Sequence, residues 1–239
     1  MRKTRENEVV ILCGGMGTRM KEETEYRPKP MVEIGGKPII WHIIRHYSQF
    51  GFDRFILALG YKGDQIRDYF SGDGNVVCVE TGLKTLKGGR IKRLEPFIQG
   101  EHFHLTYGDG LSDVDIGRLE AFHRKHGKIC TVTAVRPPSR FGEMVIKGSK
   151  VREFEEKPQL STGHINGGYF VFSREIFDYL TPSKDCDFEF GPLQKLSRKG
   201  QMMAYRHYGY WQCMDTVRDA EYLNRLWKSG AAPWKTRKR

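Results

Sequence analysis

The sequence contains no run of about 18 consecutive apolar residues, the length that a membrane-spanning α-helix requires. Residues 1–8 are polar and charged, without the apolar core that a secretory signal carries. The mean hydropathy of −0.57 and the abundance of charged residues fit a water-soluble chain. We therefore expect a cytoplasmic protein with no membrane partner.

Cysteine is also scarce: the chain has five, an odd number, and none is spaced as a metal-binding pair. The five are Cys13, Cys78, Cys130, Cys186 and Cys213. Three of them lie in apolar, strand-like runs, where a free thiol behaves as a small hydrophobic group. The histidines show no ligand spacing either, because His42 and His46 lie four apart on a predicted amphipathic helix and are expected to be structural. We expect reduced thiols, in keeping with a cytoplasmic location.

No basic stripe with interleaved aromatic residues accompanies the formal charge of +11. The lysines and arginines are spread along the chain, and only residues 235–239 form a dense block, which we interpret as a solvated basic tail. Nucleic-acid binding is an alternative that rests on charge alone and lacks a recognisable module, so we expect no nucleic-acid partner. A basic protein also attracts small phosphorylated substrates by electrostatic steering.

Two familiar phosphate-binding loops are missing. The chain has no Gly-x-x-x-x-Gly-Lys-Ser/Thr loop, and the spacing of Gly14, Gly15 and Gly17 does not match the dinucleotide fingerprint Gly-x-Gly-x-x-Gly. Instead, these glycines follow the apolar run Val9–Cys13, which predicts a strand buried on both faces of a parallel sheet. Glycines let the backbone turn close to a ligand, and successive N–H groups then form an anion-binding hollow.

Two cations accompany this loop. Arg19 offers a planar fork that fits phosphate oxygens. Lys29 stands between Pro28 and Pro30, which predicts a stiff, extended segment that holds its ammonium in place. An ordinary strand and turn with surface cations is the alternative interpretation. The coincidence of loop, arginine and rigid lysine favours a site for the triphosphate of a nucleotide.

Strand and helix patterns alternate along the chain, which predicts an α/β fold with a Rossmann-like, mixed but mostly parallel sheet and helices on both faces. The predicted strands include Phe55–Leu59, His102–Tyr107 and Met202–Met214, and the predicted helices include Ile39–Phe50 and Ile91–Ile98. No repeat or long linker interrupts them, so we expect one domain over residues 1–239, with residues 1–8 as a polar extension. Ligands of such sheets bind beyond the carboxyl ends of the strands.

Two aspartates fit a metal site at that edge. Asp109 follows an apolar strand and stands between two glycines, which open the backbone around its carboxylate. Asp215 follows a strand and precedes a helix, where an N-cap role is equally compatible with the pattern. Mg²⁺ usually takes one or two carboxylates together with substrate phosphates, so both residues are candidate ligands.

The chain resembles the sugar-1-phosphate nucleotidylyltransferases, most closely their glucose-1-phosphate cytidylyltransferase branch. The resemblance rests on motifs in family order over nearly the whole chain: the glycine loop, Lys29–Ile39, Gly60–Gly63, Gly88–Arg90, Thr106–Gly110, Arg140–Gly142, Glu156–Pro158, Ile165–Gly168, Met214–Thr216 and Ala232–Thr236. One departure is a shorter segment between Tyr69-Phe70 and Thr81-Gly82. The resemblance implies that this segment lies near the regions that contact the base and the neighbouring subunit.

The resemblance implies a role for each matching position. Catalytic roles fall to Arg19, Lys29 and Asp109, and Mg²⁺ would be bound by Asp109 and Asp215. Nucleotide contacts fall to Leu12, Gly14, Gly15, Gly17, Thr18, Arg19, Thr81, Gly82, Arg90 and Gly108. Sugar-phosphate contacts fall to Gly142, Glu156, Lys157, Asn166 and Gly168. Without the resemblance, the segments around Glu156 and Asn166 would be interpreted as turns.

The resemblance also implies an activity: Mg²⁺-dependent transfer of a nucleotidyl group from CTP to a sugar 1-phosphate, with glucose 1-phosphate as the expected acceptor. Another pyrimidine triphosphate (UTP or dTTP) or another acceptor (a heptose, an alditol phosphate or a phosphonate) is the nearest alternative. A non-catalytic regulatory subunit that binds sugar nucleotides is a further one. A homo-oligomer is expected.

Overall fold

The computed structural model describes residues 7–137, 142–155 and 163–235, apart from the side chains of residues 21, 22, 143 and 155. The strands are β1 (Glu8–Leu12), β2 (Glu33–Ile34), β3 (Lys37–Pro38), β4 (Arg54–Leu59), β5 (Val76–Glu80), β6 (His102–Tyr107), β7 (Gly110–Ser112), β8 (Cys130–Val135), β9 (Glu143–Lys147), β10 (Lys150–Glu155), β11 (Ile165–Ser173), β12 (Met202–His207) and β13 (Trp211–Cys213). The α-helices are α1 (Lys21–Thr24), α2 (Ile39–Ser48), α3 (Gly63–Tyr69), α4 (Lys87–Arg93), α5 (Ile116–His126), α6 (Gln194–Arg198) and α7 (Val217–Lys228).

Seven strands form the central sheet in the order β12-β8-β11-β6-β1-β4-β5. Every neighbouring pair is parallel except the two pairs that involve β11, which runs antiparallel to β6 and to β8. The predicted mixed, mostly parallel sheet is therefore confirmed. Strands β1, β4 and β6 lie side by side, so the loops that follow them meet at one edge of the sheet.

The core has two layers, one on each face of the sheet. Val9 and Ile11 of β1 pack into a layer with α2, α7 and Trp234, whereas Val10 and Leu12 pack into a layer with α4 and α6. Successive side chains of a strand point to opposite faces. A continuous apolar strand is thus buried on both sides, as predicted for β1.

The helix predicted over Ile91–Ile98 is placed wrongly. Helix α4 begins at Lys87 and ends at Arg93, and a separate 3-10 turn covers Glu95–Phe97. Pro96 has no N–H to donate and its ring opposes the carbonyl four residues earlier, so the helix stops before it. The sequence pattern does not predict the start of this helix, because Gly88 and Gly89 are poor helix formers.

Those two glycines are required by packing. A Cβ atom at Gly89 would lie 2.2 Å from the carbonyl oxygen of Ser183, and one at Gly88 would lie 2.8 Å from that of Cys186. The amino end of α4 therefore rests directly on the backbone of residues 183–187. Tertiary contact here outweighs the helix propensity of the two positions.

The single strand predicted over Met202–Met214 is in fact two. Strand β12 belongs to the central sheet, whereas β13 pairs with β7 in a separate two-stranded sheet. Asp113 fixes the turn between them, because its Oδ1 accepts a hydrogen bond of 2.7 Å from the N–H of Tyr210 and lies 3.0 Å from Nε2 of His207. This break turns the chain so that the end of β13 lies next to the loop after β6.

His42 and His46 are buried core residues, with Nε2 2.8 Å from the carbonyl of Ile34 and 2.9 Å from that of Val114, respectively. The five cysteines are free thiols. Among the described helices, none has the length and apolar character to cross a membrane.

Candidate active site

The glycine loop lies at the carboxyl end of β1 and is open to solvent. The N–H of Cys13 still bonds to Ala58 of β4, at 3.1 Å. Beyond it, within the described part of the chain, no acceptor is paired with the N–H groups of residues 14–19. Gly15 is exposed and Gly17 adopts a left-handed backbone with φ of +62°. The loop thus presents unpaired donors, which suit an anion.

Lys29 lies at the centre of the site. Its Nζ is 2.7 Å from Oδ2 of Asp109 and 2.6 Å from Oδ1 of Asp215, and its side chain is 12% exposed. Burial by itself lowers the pKa of this ammonium, but the two carboxylates outweigh it and raise the pKa above its usual value. Lys29 therefore carries a fixed positive charge between two fixed negative ones.

The backbone at Lys29 differs from the prediction. Pro28 is extended, but Lys29–Met31 forms a short 3-10 turn rather than an extended segment. Pro30 sits in the first turn, where a missing N–H costs nothing. The turn closes with a 2.8 Å bond from the N–H of Met31 to the carbonyl of Pro28. The lysine is still rigidly held, through the turn rather than through extension.

Asp109 reaches the lysine because the backbone before it packs closely. The N–H of Gly108 donates to the carbonyl of Leu12 at 3.1 Å. A Cβ atom at Gly108 would lie 3.0 Å from that oxygen and 3.1 Å from Cγ of Pro30. Glycine here lets the β6 loop lie against the end of β1. The carbonyl of Asp109 in turn accepts from the N–H of Met214 at 2.9 Å, which ties β13 to the site.

Asp215 is not the N-cap of α7. Thr216 caps that helix in a capping box with Asp219, whose carboxylate also accepts from the N–H of Asp215 at 3.0 Å. The Asp215 carboxylate is therefore available to Lys29 and to Arg19, whose Nη1 lies 2.8 Å from its Oδ2. Of the two interpretations that the sequence left open, the capping one is excluded.

The contacts of Asp215 predict how stability depends on pH. Burial raises its pKa, but the hydrogen bond and charge of Lys29 and the charge of Arg19 outweigh it and lower the pKa below 3.8. The ionised carboxylate thus stabilises the folded state above that pH, and the contribution disappears as the pH falls through the folded value. The pKa of Lys29 is raised, so its ammonium stabilises the folded state fully below pH 10.5. That stabilisation is lost as the pH rises through the raised folded-state pKa.

Denaturant titrations over pH measure this effect. We expect wild type to be more stable than Asp215→Asn at neutral pH, with the difference closing below about pH 4. Asp178→Asn, at an exposed position, is the matched control and should keep the stability of wild type at neutral pH. A difference that persists undiminished at pH 2 would contradict the assignment.

The carboxylates also form a candidate metal centre. Donor atoms of Asp109, Asp215 and Cys213 all lie within 4.8 Å of one another. Two hard oxygen donors beside an open, phosphate-suited loop fit a divalent cation such as Mg²⁺. Burial and the charge of Asp109 raise the pKa of the Cys213 thiol, which therefore stays neutral. Sequence reasoning missed Cys213; its position two residues before Asp215, on the same side of an extended segment, could have indicated it.

Arg90 lies beneath the glycine loop and is 4% exposed. Its Nη1 donates to the carbonyl of Leu59 at 2.9 Å and to Oγ1 of Thr81 at 2.7 Å, and its Nη2 donates to the carbonyls of Gly14 at 3.0 Å and Leu83 at 3.2 Å. One guanidinium therefore joins the ends of β1, β4 and β5. Direct contact of Arg90 with a nucleotide stays a prediction, as it does for Thr81 and the adjacent Gly82.

Replacing Arg90 by lysine is expected to lower the free energy of unfolding by about 2–4 kcal/mol, because a lysine ammonium cannot reach all four acceptors. The freed Gly14 carbonyl should also loosen the loop and raise the KM for the nucleotide. Arg67→Lys is the control: this α3 side chain is 42% exposed and pairs with Asp64 and Glu80 at the surface, so the change should alter stability by less than about 0.5 kcal/mol. Chemical denaturation and steady-state kinetics test both; equal stability of the two variants would contradict the role of Arg90.

The predicted sugar side is only partly described. Glu156 and Lys157 lie outside the described residues, and Gly142 immediately precedes β9 without a described contact to the carboxylates. Asn166 and Gly168 open β11, next to the end of β6. The Asn166 amide donates to the hydroxyl of Tyr107 at 3.2 Å. Tyr107 and its partner Glu189 were not predicted from the sequence.

Comparison with known proteins places these residues in a family. The family model described as nucleotidyl transferase matches residues 8–220. The glucose-1-phosphate cytidylyltransferase of Salmonella typhimurium is 44% identical over 255 aligned positions, which cover 96% of this chain and 99% of the relative. The probable glucose-1-phosphate cytidylyltransferase of Bacillus subtilis is 40% identical, with coverage of 95% and 99%. Since the first alignment is longer than the 239-residue chain, that relative carries segments that this chain lacks.

Solved structures agree on the fold. HddC from Yersinia pseudotuberculosis in complex with GMP-PN is 27% identical, with a TM-score of 0.71 and coverage of 92% of this chain and 99% of that one. A putative glucose-1-phosphate thymidylyltransferase from Bacillus anthracis has a TM-score of 0.75 at 20% identity, with coverage of 94% and 95%. The resemblance inferred from the sequence motifs is confirmed by the family model and by relatives that align over nearly the whole chain. The chain belongs to the nucleotidyl transferase family.

Proposed function

We propose that the protein is a glucose-1-phosphate cytidylyltransferase, which joins CTP and glucose 1-phosphate to give CDP-glucose and pyrophosphate. The observation that carries this proposal is the Asp109–Lys29–Asp215 cluster beside an open glycine loop. Its occurrence in a chain 44% identical to a glucose-1-phosphate cytidylyltransferase supports the choice of base and acceptor. The whole chain acts as one nucleotidyltransferase domain.

The glycine loop holds the leaving phosphates in this proposal. Unpaired N–H groups of residues 14–19 and the guanidinium of Arg19 surround the β- and γ-phosphates of CTP. Arg19 is 69% exposed and reaches Asp215 from the solvent side, so it can turn toward a phosphate without loss of a buried contact. Leu12, Gly14, Gly15, Gly17, Thr18 and Gly108 supply backbone contacts, while Thr81, Gly82 and Arg90 lie on the base side.

The metal in this proposal is Mg²⁺, since members of this family use a divalent cation. Asp109 and Asp215 would hold it, and when bound it neutralises charge on the substrate phosphates. Lys29 stays protonated between the same carboxylates and stabilises negative charge at the α-phosphate.

The reaction needs no nucleophile from the protein. A phosphate oxygen of glucose 1-phosphate attacks the α-phosphorus of CTP in line and forms the new P–O bond. The bond from the α-phosphorus to the oxygen bridging toward the β-phosphorus breaks, and the electron pair leaves with pyrophosphate. Catalysis is then positioning and charge neutralisation. In this scheme Lys157 meets the incoming phosphate, and the sugar lies against Gly142, Glu156, Asn166 and Gly168.

A direct assay tests the activity. Pyrophosphate release is measured with Mg²⁺ while CTP, UTP, dTTP, ATP and GTP are crossed with glucose 1-phosphate, heptose 1-phosphate, an alditol phosphate and a phosphonate. We expect release with CTP and glucose 1-phosphate. Pyrophosphate release only with another pair would change the assigned substrates but not the assigned reaction. Nucleotide binding without pyrophosphate release would favour a regulatory subunit.

Two further properties belong to the proposal. We expect a homo-oligomer that acts in the cytoplasm. Light scattering after size-exclusion chromatography tests the first, and a monomer at micromolar concentration would contradict it. Fractionation of the native host tests the second.

A further inference from the structure

A chain of polar contacts runs from the amino end of α4 to the predicted sugar side. Nζ of Lys87 forms an ion pair with Oε1 of Glu189 and lies 5.0 Å from the ring centre of Tyr107. The hydroxyl of Tyr107 donates to the same Oε1 at 3.0 Å and accepts from Nδ2 of Asn166 at 3.2 Å. Oδ1 of Asn166 accepts from the N–H of Gly168 at 2.8 Å.

The order of donors and acceptors in this chain is forced. An ionised carboxylate only accepts hydrogen bonds, so the hydroxyl proton of Tyr107 points to Glu189. The tyrosine oxygen must then accept from Asn166, which requires the NH₂ end of the amide. A backbone N–H only donates, so Gly168 requires the carbonyl end. The two constraints act independently and select the same orientation of the Asn166 side chain.

The ring of Tyr107 is also fixed by packing. It makes an edge contact with Phe170 at 5.9 Å between ring centres. A Cβ atom at Gly168 would lie 2.8 Å from Cδ2 of this ring, and φ at Gly168 is +79°. Glycine is therefore needed for the ring to reach its place. Tyr107 is the last residue of β6 and lies two residues before Asp109, so this ring and the candidate metal ligand are held by the same end of one strand.

We propose that Tyr107 and Glu189 are positioning residues for the acceptor sugar, and that they act through Asn166. They hold the amide so that one N–H and one carbonyl lone pair of Asn166 remain directed away from the protein and toward a sugar hydroxyl. Asn166 is exposed, so without these partners only the N–H of Gly168 would restrain its amide, which would then move more. This inference rests on the proposed function and adds to it how the acceptor is selected.

A double-mutant cycle tests the inference in the full-length, Mg²⁺-loaded protein. Tyr107→Phe removes the hydroxyl and keeps the ring, and Asn166→Ala removes the amide. We expect Tyr107→Phe to raise the KM for glucose 1-phosphate about 5–10-fold, with the KM for CTP unchanged within about twofold. In the Asn166→Ala background the same change should have no further effect, because the group it positions is gone. Equal effects in both backgrounds, or an equal rise in both KM values, would overturn the inference.

Two additional variants separate positioning from folding. Glu189→Gln keeps the size of the side chain, but its amide can donate as well as accept a hydrogen bond and no longer forces the Tyr107 hydroxyl to donate. We therefore expect a smaller rise in the KM for glucose 1-phosphate, about 2–5-fold. Glu189→Gln serves in place of Tyr107→Phe if that variant does not fold. Tyr179→Phe, on the 3-10 turn Arg174–Tyr179 and with no described hydrogen bond to a site residue, should leave both KM values unchanged.

The wild type distinguishes failure of this inference from failure of the proposed function. If wild type releases pyrophosphate with a different acceptor, the cycle is measured with that acceptor. If it turns nothing over, the proposed function is wrong, and the cycle is measured as the calorimetric Kd for glucose 1-phosphate. If glucose 1-phosphate neither reacts nor binds and no other acceptor does, the positioning role is overturned as well.

Discussion

Replacing Lys29 with alanine is expected to lower kcat by about 10³-fold at saturating substrates, the loss typical of removing one preorganised electrostatic group. The Lys29 ammonium lies within 2.7 Å of both Asp109 and Asp215 and is mostly buried, so water cannot substitute for it at low cost. Its loss also leaves two carboxylates facing each other without the cation that separates them. Both effects raise the energy of a transition state that carries extra negative charge.

The kinetics of Lys29→Ala distinguish a catalytic role of this lysine from a purely structural one. Steady-state pyrophosphate release gives kcat and both KM values, and the main change should be in kcat. Lys37→Ala, an exposed lysine over the ring of Trp41, is the matched control and should keep wild-type kcat. A Lys29→Ala variant that keeps kcat within about tenfold of wild type would remove Lys29 from catalysis and leave it a structural ion-pair partner.

The second large effect is expected at Asp109. Asp109→Asn keeps the shape of the side chain and an oxygen for Lys29, but removes the negative charge that a divalent cation requires. We expect kcat with Mg²⁺ to fall by at least about 10³-fold, since the metal, the lysine and the phosphates all depend on this charge.

Metal binding gives this prediction a readout that is independent of turnover. Calorimetric titration of Mn²⁺ into the nucleotide-bound protein should show binding in wild type and its loss in Asp109→Asn. Asp178→Asn, exposed on the turn that follows β11, is the control and should bind Mn²⁺ as wild type does. Unchanged Mn²⁺ affinity with reduced kcat would mean that Asp109 acts on Lys29 rather than on a metal.

Local sequence patterns were sufficient to predict the mostly parallel sheet and the edge of the sheet at which the site lies. The apolar run Val9–Cys13 predicts burial on both faces because strand side chains alternate, and β1 is buried in that way. Residues that follow neighbouring parallel strands must meet at one edge. The glycine loop after β1 and Asp109 after β6 therefore come together, as the sequence indicated.

Local patterns failed where a distant contact outweighed propensity. Gly88 and Gly89 argue against a helix, yet α4 begins there because the backbone of residues 183–187 leaves no room for a side chain. Met202–Met214 looks like one strand, yet Asp113 bends it into two. In both cases the deciding residue lies far away in the sequence, where periodicity carries no information about it.

The sequence by itself determined that the sheet is mixed and mostly parallel and that the glycine loop and Asp109 share an edge. Only the tertiary structure decided that Lys29 bridges Asp109 and Asp215, 80 and 186 residues away. It also decided that Thr216, not Asp215, caps α7, and that Tyr107 and Glu189 orient Asn166. The physical reason is that propensity and spacing act over a few residues, whereas ion pairs and hydrogen bonds form wherever the fold brings donor and acceptor within about 3 Å.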